Sequence, residues 1–234
     1  MFCPHCGNNI GDNVKFCPAC GQSTEAPGAA QPSPAPTPAP VFTPAGTPGV
    51  QIGKWIGEGW NLVKSDFATC IIGPILAFFI ASFGMGLLSG AANAGVHILF
   101  MKKLLTGRAE IGDAFKGFNF FVPALVASLI VGIFSFIGFL LCIIPGLVVA
   151  AAYMFTYLFI VDRKMDFWQA MEASHAVVKT NYVGFTLFLL AMAGLHILGA
   201  LCCLVGLLVT IPIQYAAVTI AYRDLVGFQS DGNL

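Results

Sequence analysis

Three long stretches without a charged residue constrain this chain more than any other feature. They run from Phe67 to Met101, from Gly117 to Val161 and from Thr180 to Tyr222, and they are 35, 45 and 43 residues long. One membrane crossing takes about 20 residues, so each stretch most simply crosses twice and returns. The pattern therefore predicts an all-α polytopic membrane protein with six transmembrane helices arranged as three hairpins.

The composition agrees with this interpretation. The chain is 57% hydrophobic and only 9% charged, whereas soluble domains are about 25% charged, so we exclude a soluble enzyme. The first hairpin is the tightest fit, and residues 67–102 can instead form a re-entrant loop. The six predicted spans are 67–84, 86–102, 120–141, 145–162, 182–202 and 205–222.

The basic residues predict the orientation of these spans. All basic residues after position 50 lie outside the uncharged stretches, and the hairpin tips near 84–92, 142–146 and 202–206 carry no charge. By the positive-inside rule, both termini are cytoplasmic. The first residues also lack the basic and apolar regions of a signal peptide. We therefore expect a multi-pass protein of the bacterial cytoplasmic (inner) membrane, in contact with membrane lipid.

The three uncharged stretches contain two histidines, His97 and His196, and no acidic or basic residue. An ionisable residue inside a membrane is a candidate functional site. We expect each to be a neutral imidazole that bonds a neighbouring helix, with Asn93, Thr210 or Gln214 as partners. The absence of a carboxylate inside these stretches argues against a proton-coupled carrier. Four cysteines are predicted to pack as buried apolar groups, with a Cys142–Cys202 or Cys142–Cys203 bridge as the alternative: Cys70, Cys142, Cys202 and Cys203.

The membrane region also contains an internal repeat of about 60 residues. Its clearest matches are the glycine–leucine pairs that begin at Gly86, Gly146 and Gly206, and the basic residues Lys103, Arg163 and Arg223. We predict a unit of one interfacial amphipathic helix and one hairpin, present three times with approximate three-fold symmetry. The candidate N-caps of the outgoing helices are Asp66, Asn119 and Asn181. The predicted apolar faces are Ile52, Trp55, Ile56, Gly59 and Val63; Ile111, Ala114, Phe115 and Phe118; and Phe167, Ala170, Met171, Ser174 and Val178.

The first 21 residues carry a different motif, a CPxCG turn that occurs twice. The cysteines are Cys3 and Cys6 in the first copy and Cys17 and Cys20 in the second. Two such turns supply four thiolates, which suits a closed tetrahedral Zn²⁺ site. A module of this size has almost no core, so metal binding should supply most of its folding free energy, of order 10 kcal/mol.

Other interpretations of the cysteines are weaker. A disulfide pair is disfavoured in the cytoplasm, and a redox CxxC motif would need a βαβ context that is absent. Iron in the same four-sulfur cage stays possible. We interpret His5 as exposed, because four cysteines already complete the coordination shell.

A proline-rich segment separates this module from the membrane region. Residues 22–50 contain eight of the fourteen prolines, and such a segment favours extended polyproline II. We interpret it as a semi-rigid tether, with a ligand for an SH3-like partner as the alternative. The predicted organisation is a cytoplasmic zinc ribbon at 1–21, a Pro/Ala-rich disordered linker at 22–50, a six-span membrane domain at 51–226 and a C-terminal tail at 227–234.

Two resemblances to known families follow from these motifs. Residues 1–21 look like the short zinc ribbon at the N-terminus of many bacterial membrane proteins, which implies a structural metal and a docking surface. The central part of the membrane region resembles the YciC-like membrane proteins. The resemblance rests on Ile144-Pro145-Gly146, Asp162, Trp168–Ser174 and Lys179. The same six-span domain occurs in some glycerophosphoryl diester phosphodiesterases, whose catalytic barrel has no counterpart in this sequence. The resemblance implies a role in envelope or lipid homeostasis.

The functional prediction is a non-enzymatic scaffold or adaptor that presents the zinc ribbon to a cytoplasmic protein partner. The sequence contains no recognisable nucleophile–base pair, phosphate-binding loop or open metal site. The alternative is a lipid-binding or small-solute transport protein. Nucleic acid is not expected, because the 11 basic and 11 acidic residues balance and Lys15 is the only basic residue of the ribbon. The sequence does not predict an oligomeric state.

Overall fold

The computed structural model describes residues 3, 6–9, 11, 17–21, 49–83, 88–141, 143–201 and 206–230. Two compact units are found, Met1–Pro40 and Val41–Leu234. Most of the predicted tether lies outside the described residues, as do Cys142, Cys202, Cys203 and the last four residues. The predictions that concern those residues therefore stay predictions.

The described part of the second unit is helical. Apolar runs free of charge, interrupted by short polar segments, produce a series of helices that fold back on one another. These are α1 (Ile52–Ser65), α2 (Phe67–Phe83), α3 (Ser89–Thr106), the 3₁₀-helix η1 (Ile111–Phe120), α4 (Phe121–Leu141), α5 (Ile143–Ala152), α6 (Thr156–Arg163), α7 (Phe167–Lys179), α8 (Tyr182–Leu201) and α9 (Leu207–Leu225).

Polar side chains begin two of the outgoing helices, as predicted. The Asp66 carboxylate accepts from the backbone N–H of Thr69 at 3.4 Å, where α1 and α2 meet at 103°. The Asn181 side chain accepts from the backbone N–H of Gly184 at 2.9 Å. The third predicted cap was wrong, since Asn119 lies in the last turn of η1, which continues directly into α4.

Small residues allow the helices of the core to approach closely. A Cβ atom on Gly95 of α3 would lie 1.7 Å from the Ala114 carbonyl oxygen in η1, and one on Gly117 would lie 2.2 Å from the Ala91 carbonyl oxygen. The second and third hairpins each place two glycines in contact, Gly138 with Gly146 and Gly199 with Gly206. Backbone packing at this distance leaves no room for a side chain.

The three helices predicted to be interfacial, α1, η1 and α7, each pack against one longer stretch of helix. Along the chain, η1 lies against α3 and α7 lies against α6. The remaining short helix, α1, packs against α9, so the last helix of the unit returns to the first. The contacts thus form a closed series of three pairs.

The predicted apolar faces of α1 and α7 are confirmed, whereas that of η1 was partly wrong. Trp55, Gly59 and Val63 of α1 are buried, and so are Ala170, Met171, Ser174 and Val178 of α7. In the second segment, Phe115 is 48% exposed, and the buried residues are Asp113, Ala114 and Gly117. The reason is that a 3₁₀-helix aligns residues three apart, which moves the buried face to Ala114 and Gly117.

A break interrupts the helix predicted over 145–162. Residues 153–155 form a turn between α5 and α6, although they contain neither proline nor glycine. The Ser174 hydroxyl of α7, which is 0% exposed, donates to the Ala152 carbonyl at 2.8 Å and accepts from the Phe155 N–H at 3.2 Å. One hydroxyl therefore satisfies a donor and an acceptor that the break leaves free.

Three of the described helices are long and apolar enough to cross a membrane. They are Ile111–Leu140, which joins η1 and α4, Ile144–Arg163 and Tyr182–Leu201. A fourth crossing results if the bent pair of α1 and α2 is one broken span. The helices α2, α3 and α9 have 17, 18 and 19 residues, close to the length that a span requires. The molecule is thus a helical membrane protein, and the six-span count stays a prediction.

Candidate metal centre

The described residues of the two CPxCG motifs share one hydrogen bond and one backbone conformation. In each, the glycine N–H donates to the carbonyl of the first cysteine, Gly7 to Cys3 at 2.9 Å and Gly21 to Cys17 at 2.8 Å. Both glycines have left-handed φ angles, 72° and 70°, which a residue with a Cβ adopts only with strain. The turn therefore requires glycine at this position and brings the two cysteines of each motif to one side.

The four predicted ligands come together in one cluster. The Sγ atoms of Cys3, Cys6, Cys17 and Cys20 all lie within 4.8 Å of one another. Cys3 and Cys20 are 3.8 Å apart, and Cys6 and Cys17 are 3.6 Å apart. A tetrahedral Zn²⁺ ion with bonds of about 2.3 Å places its sulfur ligands about 3.8 Å apart. The spacing fits one zinc ion at the centre of the four sulfurs.

The surroundings of the cysteines also favour metal binding. Cys3 and Cys17 are buried, whereas Cys6 and Cys20 are exposed, so the site lies at the surface of its small unit. The backbone N–H groups of Ala19 and Cys20 bond the Cys17 sulfur and lower its pKa to about 7. Cys17 is therefore accessible near neutral pH as the thiolate, which is the form that binds zinc. For Cys6, the backbone N–H of Asn8 acts to lower the pKa, but hydrogen bonds with the neighbouring sulfurs outweigh it and raise this pKa to about 12.

Four thiolates leave no coordination position for a water molecule or a substrate. Catalytic zinc sites keep one such position open, whereas structural sites are closed. The chemistry of this centre is therefore structural: the cysteines bind zinc, and zinc holds the two turns together. Soft sulfur donors select zinc over hard cations such as magnesium.

His97 of α3 has different partners from those predicted. It is 4% exposed, and its Nδ1 lies 3.1 Å from the Thr219 hydroxyl of α9. Its ring also packs edge-on against Tyr215 at 5.2 Å between centroids, and the Tyr215 hydroxyl donates to the Asn93 side chain. The predicted interhelical hydrogen bond is present, but through Thr219 rather than Asn93, Thr210 or Gln214.

His196 of α8 bonds its own helix. Its Nδ1 lies 2.7 Å from the Met192 carbonyl, one turn earlier, so the prediction of a neighbouring helix as partner was wrong. The two histidines are thus separate, and the structure does not bring them into one site.

A group of charged residues lies where α1 meets the end of α9. The Asp224 carboxylate accepts from the Lys54 ammonium at 2.8 Å and from the Trp55 indole N–H at 3.2 Å. Arg223 donates to Glu58 and to Asp224, each at 2.8 Å. Burial acts to raise the pKa of Asp224, but the hydrogen bonds from Lys54 and Arg223 outweigh it and hold this pKa below its usual range.

No role was predicted for Asp162. Among the described residues of the membrane unit, its carboxylate accepts the largest number of hydrogen bonds. It is 5% exposed and accepts from the Tyr222 hydroxyl at 3.0 Å. It also accepts from the backbone N–H groups of Gln229 and Ser230 and from the Ser230 hydroxyl, at 2.9 to 3.1 Å. The carboxylate holds residues 229–230 against the helices. The sequence feature that could have identified this residue is its position as a lone aspartate at the end of an apolar run.

The fold and the centre together define a class: a helical membrane protein with an N-terminal zinc ribbon. Residues 2–24 match the zinc-ribbon domain family. Over 140 residues the chain is 35% identical to an uncharacterized protein of Mycobacterium bovis and to uncharacterized proteins of two Mycobacterium tuberculosis strains.

These matches cover 56% of this chain and 43% of each relative. The chain therefore spans less than half the length of the relatives. No solved structure matches the chain. The comparisons support the zinc ribbon and leave the resemblance to the YciC-like proteins as a prediction.

Proposed function

We propose that this protein is a non-enzymatic scaffold of the bacterial inner membrane that presents its zinc ribbon to a cytoplasmic protein partner. The closed four-sulfur centre is the observation that carries the proposal. A site without an open position holds a surface in shape rather than performing a reaction, and a shaped surface of this kind serves for binding. A role in envelope or lipid homeostasis follows from the YciC-like resemblance.

Copurification tests the scaffold. The full chain is purified in mild detergent together with a double variant, Cys17→Ser and Cys20→Ser, and a control, His5→Ala, which keeps all four thiolates. We expect one stoichiometric protein partner with the wild type and the control, and its loss from the double variant. The same partners at the same ratios in all three preparations would contradict the proposal.

We further propose that the membrane unit consists of three equivalent repeats and six spans, with both termini cytoplasmic. A small residue in each of α1, η1 and α7 supports the repeat, because it packs against the second helix of a predicted hairpin at nearly equivalent positions. These contacts are Gly117 with Ala91 and Gly95, Ser174 with Ala152 and Phe155, and Gly59 with Ile213 and Ala217. The three small residues are displaced along the sequence by about 60 residues, to within three, and so are their contact partners.

Reporter fusions test this topology. Tags inserted within 84–87, at 142 and within 202–205, the predicted tips, are expected on the outer side of the membrane, and a tag at 108 on the cytoplasmic side. A cytoplasmic tag at a predicted tip would exclude the double crossing of that hairpin, and at 84–87 it would favour the re-entrant loop.

A second candidate function, lipid binding, is favoured by a cavity of about 570 Å³ between α2, α3 and α9. Its walls are apolar, with Pro74 and Phe78 on one side and Ile211 on the other, and its polar groups include the bonded pair Asn93 and Tyr215. Ligand cavities commonly have volumes of about 300–1,000 Å³ with this kind of lining. The cavity has the size and polarity for an acyl chain.

Retained lipid distinguishes this candidate from the scaffold. Native mass spectrometry of the full chain should show a bound lipid. Ala81 also lines the cavity, so Ala81→Phe should fill it and release the lipid. The control Val183→Phe enlarges an exposed position of α8 and should retain the lipid. A chain without residues 1–50 should also retain it, since the cavity contains no part of the ribbon. Equal lipid content in Ala81→Phe and wild type would exclude the cavity as the site.

A further inference from the structure

A second cleft, lined by different helices from the first cavity, lies between α4, α7 and the turn that joins α5 to α6. Its volume is about 210 Å³, and three aromatic rings line it, those of Phe134, Tyr153 and Trp168. Met171, Glu172 and His175 complete the lining. At this volume the cleft is smaller than the usual ligand cavity, so it accommodates a small group rather than a whole lipid.

The rings of the cleft are accessible. Trp168 is 59% exposed and Phe134 is 41% exposed, and the centroids of Phe134 and Tyr153 are 6.2 Å apart with the ring planes at 37°. Residues Trp168, Met171, Glu172 and His175 follow the spacing of one helix face. The exposed Trp168 and Phe134 rings are therefore accessible to a ligand.

Two hydrogen-bonded contacts fix the walls. The His175 Nε2 lies 2.5 Å from the Tyr182 hydroxyl, which holds the imidazole in one orientation. Tyr153 belongs to the turn between α5 and α6, and the Ser174 hydroxyl holds that turn through Ala152 and Phe155. The cleft is therefore built on positioned elements and does not depend on ligand binding to form.

The charge of the lining selects the ligand. Among the described lining residues, Glu172 carries the one formal charge, and neither lysine nor arginine is present. The negative faces of aromatic rings attract a cation, and a methylated ammonium group suits them because it needs no hydrogen-bond acceptor. A carboxylate beside the rings adds a long-range attraction for the same cation.

We propose that this cleft binds an alkylammonium group, carried either by a lipid headgroup or by a free solute. The site is independent of the zinc ribbon and of the scaffold function, because it contains none of the metal ligands. Trp168 and Tyr153 provide the aromatic faces, and Glu172 provides the counter-charge.

Binding of tetramethylammonium tests the site. The full chain is placed in nanodiscs of phosphatidylglycerol, and saturation-transfer NMR follows the methyl resonance of tetramethylammonium chloride at constant ionic strength. We expect saturable binding that weakens about threefold to tenfold in Glu172→Gln and at least tenfold in Trp168→Leu. The control Trp60→Phe removes another exposed tryptophan, whose ring lies 4.6 Å from the Lys64 ammonium, and should bind like the wild type.

A second nanodisc composition distinguishes the two sources of the alkylammonium group. If a headgroup occupies the cleft, phosphatidylcholine in the disc competes and lowers the apparent affinity for tetramethylammonium; if the ligand is a solute, the affinity stays the same. Either result supports the site. Absence of saturable binding in the wild type, or affinities within twofold of the wild type in both cleft variants, would overturn it. Thermal unfolding of each variant verifies that it is folded.

Discussion

The Ser174→Ala substitution isolates the contribution of one buried hydroxyl to the fold. Ser174 is fully buried and bonds the two backbone groups that the break between α5 and α6 leaves free, the Ala152 carbonyl and the Phe155 N–H. Alanine fits the same space, so the substitution removes the hydrogen bonds without adding bulk. The two backbone groups then stay buried without this partner.

The magnitude follows from the cost of such groups. Leaving one buried polar group unpaired costs about 1–3 kcal/mol, whereas interhelical hydrogen bonds inside membranes average about 0.6 kcal/mol and reach about 1.7 kcal/mol. With two groups affected, we expect a loss of about 2 kcal/mol in the free energy of unfolding. For a unit of about 150–250 residues, this corresponds to a decrease of about 4–8 °C in Tm.

Two measurements check this prediction. Intrinsic tryptophan fluorescence of the full chain in detergent gives Tm, and hydrogen exchange with mass spectrometry reports the protection of residues 152–156, which should fall. The matched control is Ser128→Ala, because the Ser128 hydroxyl bonds only the Leu125 carbonyl of its own helix, at 2.8 Å. A Tm change below about 1 °C for Ser174→Ala, or an equal change for Ser128→Ala, would refute the role of the hydroxyl.

Three further predictions concern packing, charge and metal. Gly95→Ala should destabilise the protein by about 3 kcal/mol, because the new Cβ would lie 1.7 Å from the Ala114 carbonyl oxygen. Gly194→Ala has open space around it and should stabilise the protein by about 0.4–1 kcal/mol. Chemical unfolding of the two variants compares their free energies of unfolding. Because the pKa of Asp224 is lowered in the folded protein, the ionised carboxylate contributes to the free energy of unfolding. This contribution is complete above about pH 4 and is lost as the pH falls further. Asp224→Asn should therefore remove this part of the acid dependence of Tm. Chelation should release one zinc ion per chain and unfold the ribbon without changing the helical circular dichroism of the membrane unit, and Cys17→Ser should abolish zinc binding measured by elemental analysis.

Local patterns predicted the parts of this structure that depend on nearby residues. The spacing of the cysteines predicted the metal centre, because each CPxCG turn is complete within five residues and its glycine fixes the bend. Likewise, Asp66 and Asn181 marked helix starts, since a capping side chain bonds a backbone N–H three residues away. The charge-free runs predicted helices such as α2 and α8, because a helix also depends on residues that are near one another in the sequence.

Contacts between distant parts of the chain were not predictable from these patterns. His97 and Thr219 are 122 residues apart, and Asp162 bonds residues 67 and 68 positions later. The break at 153–155 contains neither proline nor glycine, and it depends on Ser174 of another helix. In η1, the 3₁₀ geometry changes which side chains are buried, and an amphipathic pattern with α-helical spacing cannot reveal that.

The position of the membrane unit's two ends limits the number of crossings. Gly49 and Gln51, at its start, line one small cavity with Asp224 and Leu225, and Lys54 bonds Asp224. Points in contact outside the hydrocarbon lie on the same side of a membrane, so the chain between them crosses an even number of times. If the contact between Lys54 and Asp224 lies outside the hydrocarbon, four or six crossings are consistent with it and three are not. The predicted six-span arrangement has this property, because each of its three hairpins returns the chain to its starting side, and it accounts for the packing of α9 against α1.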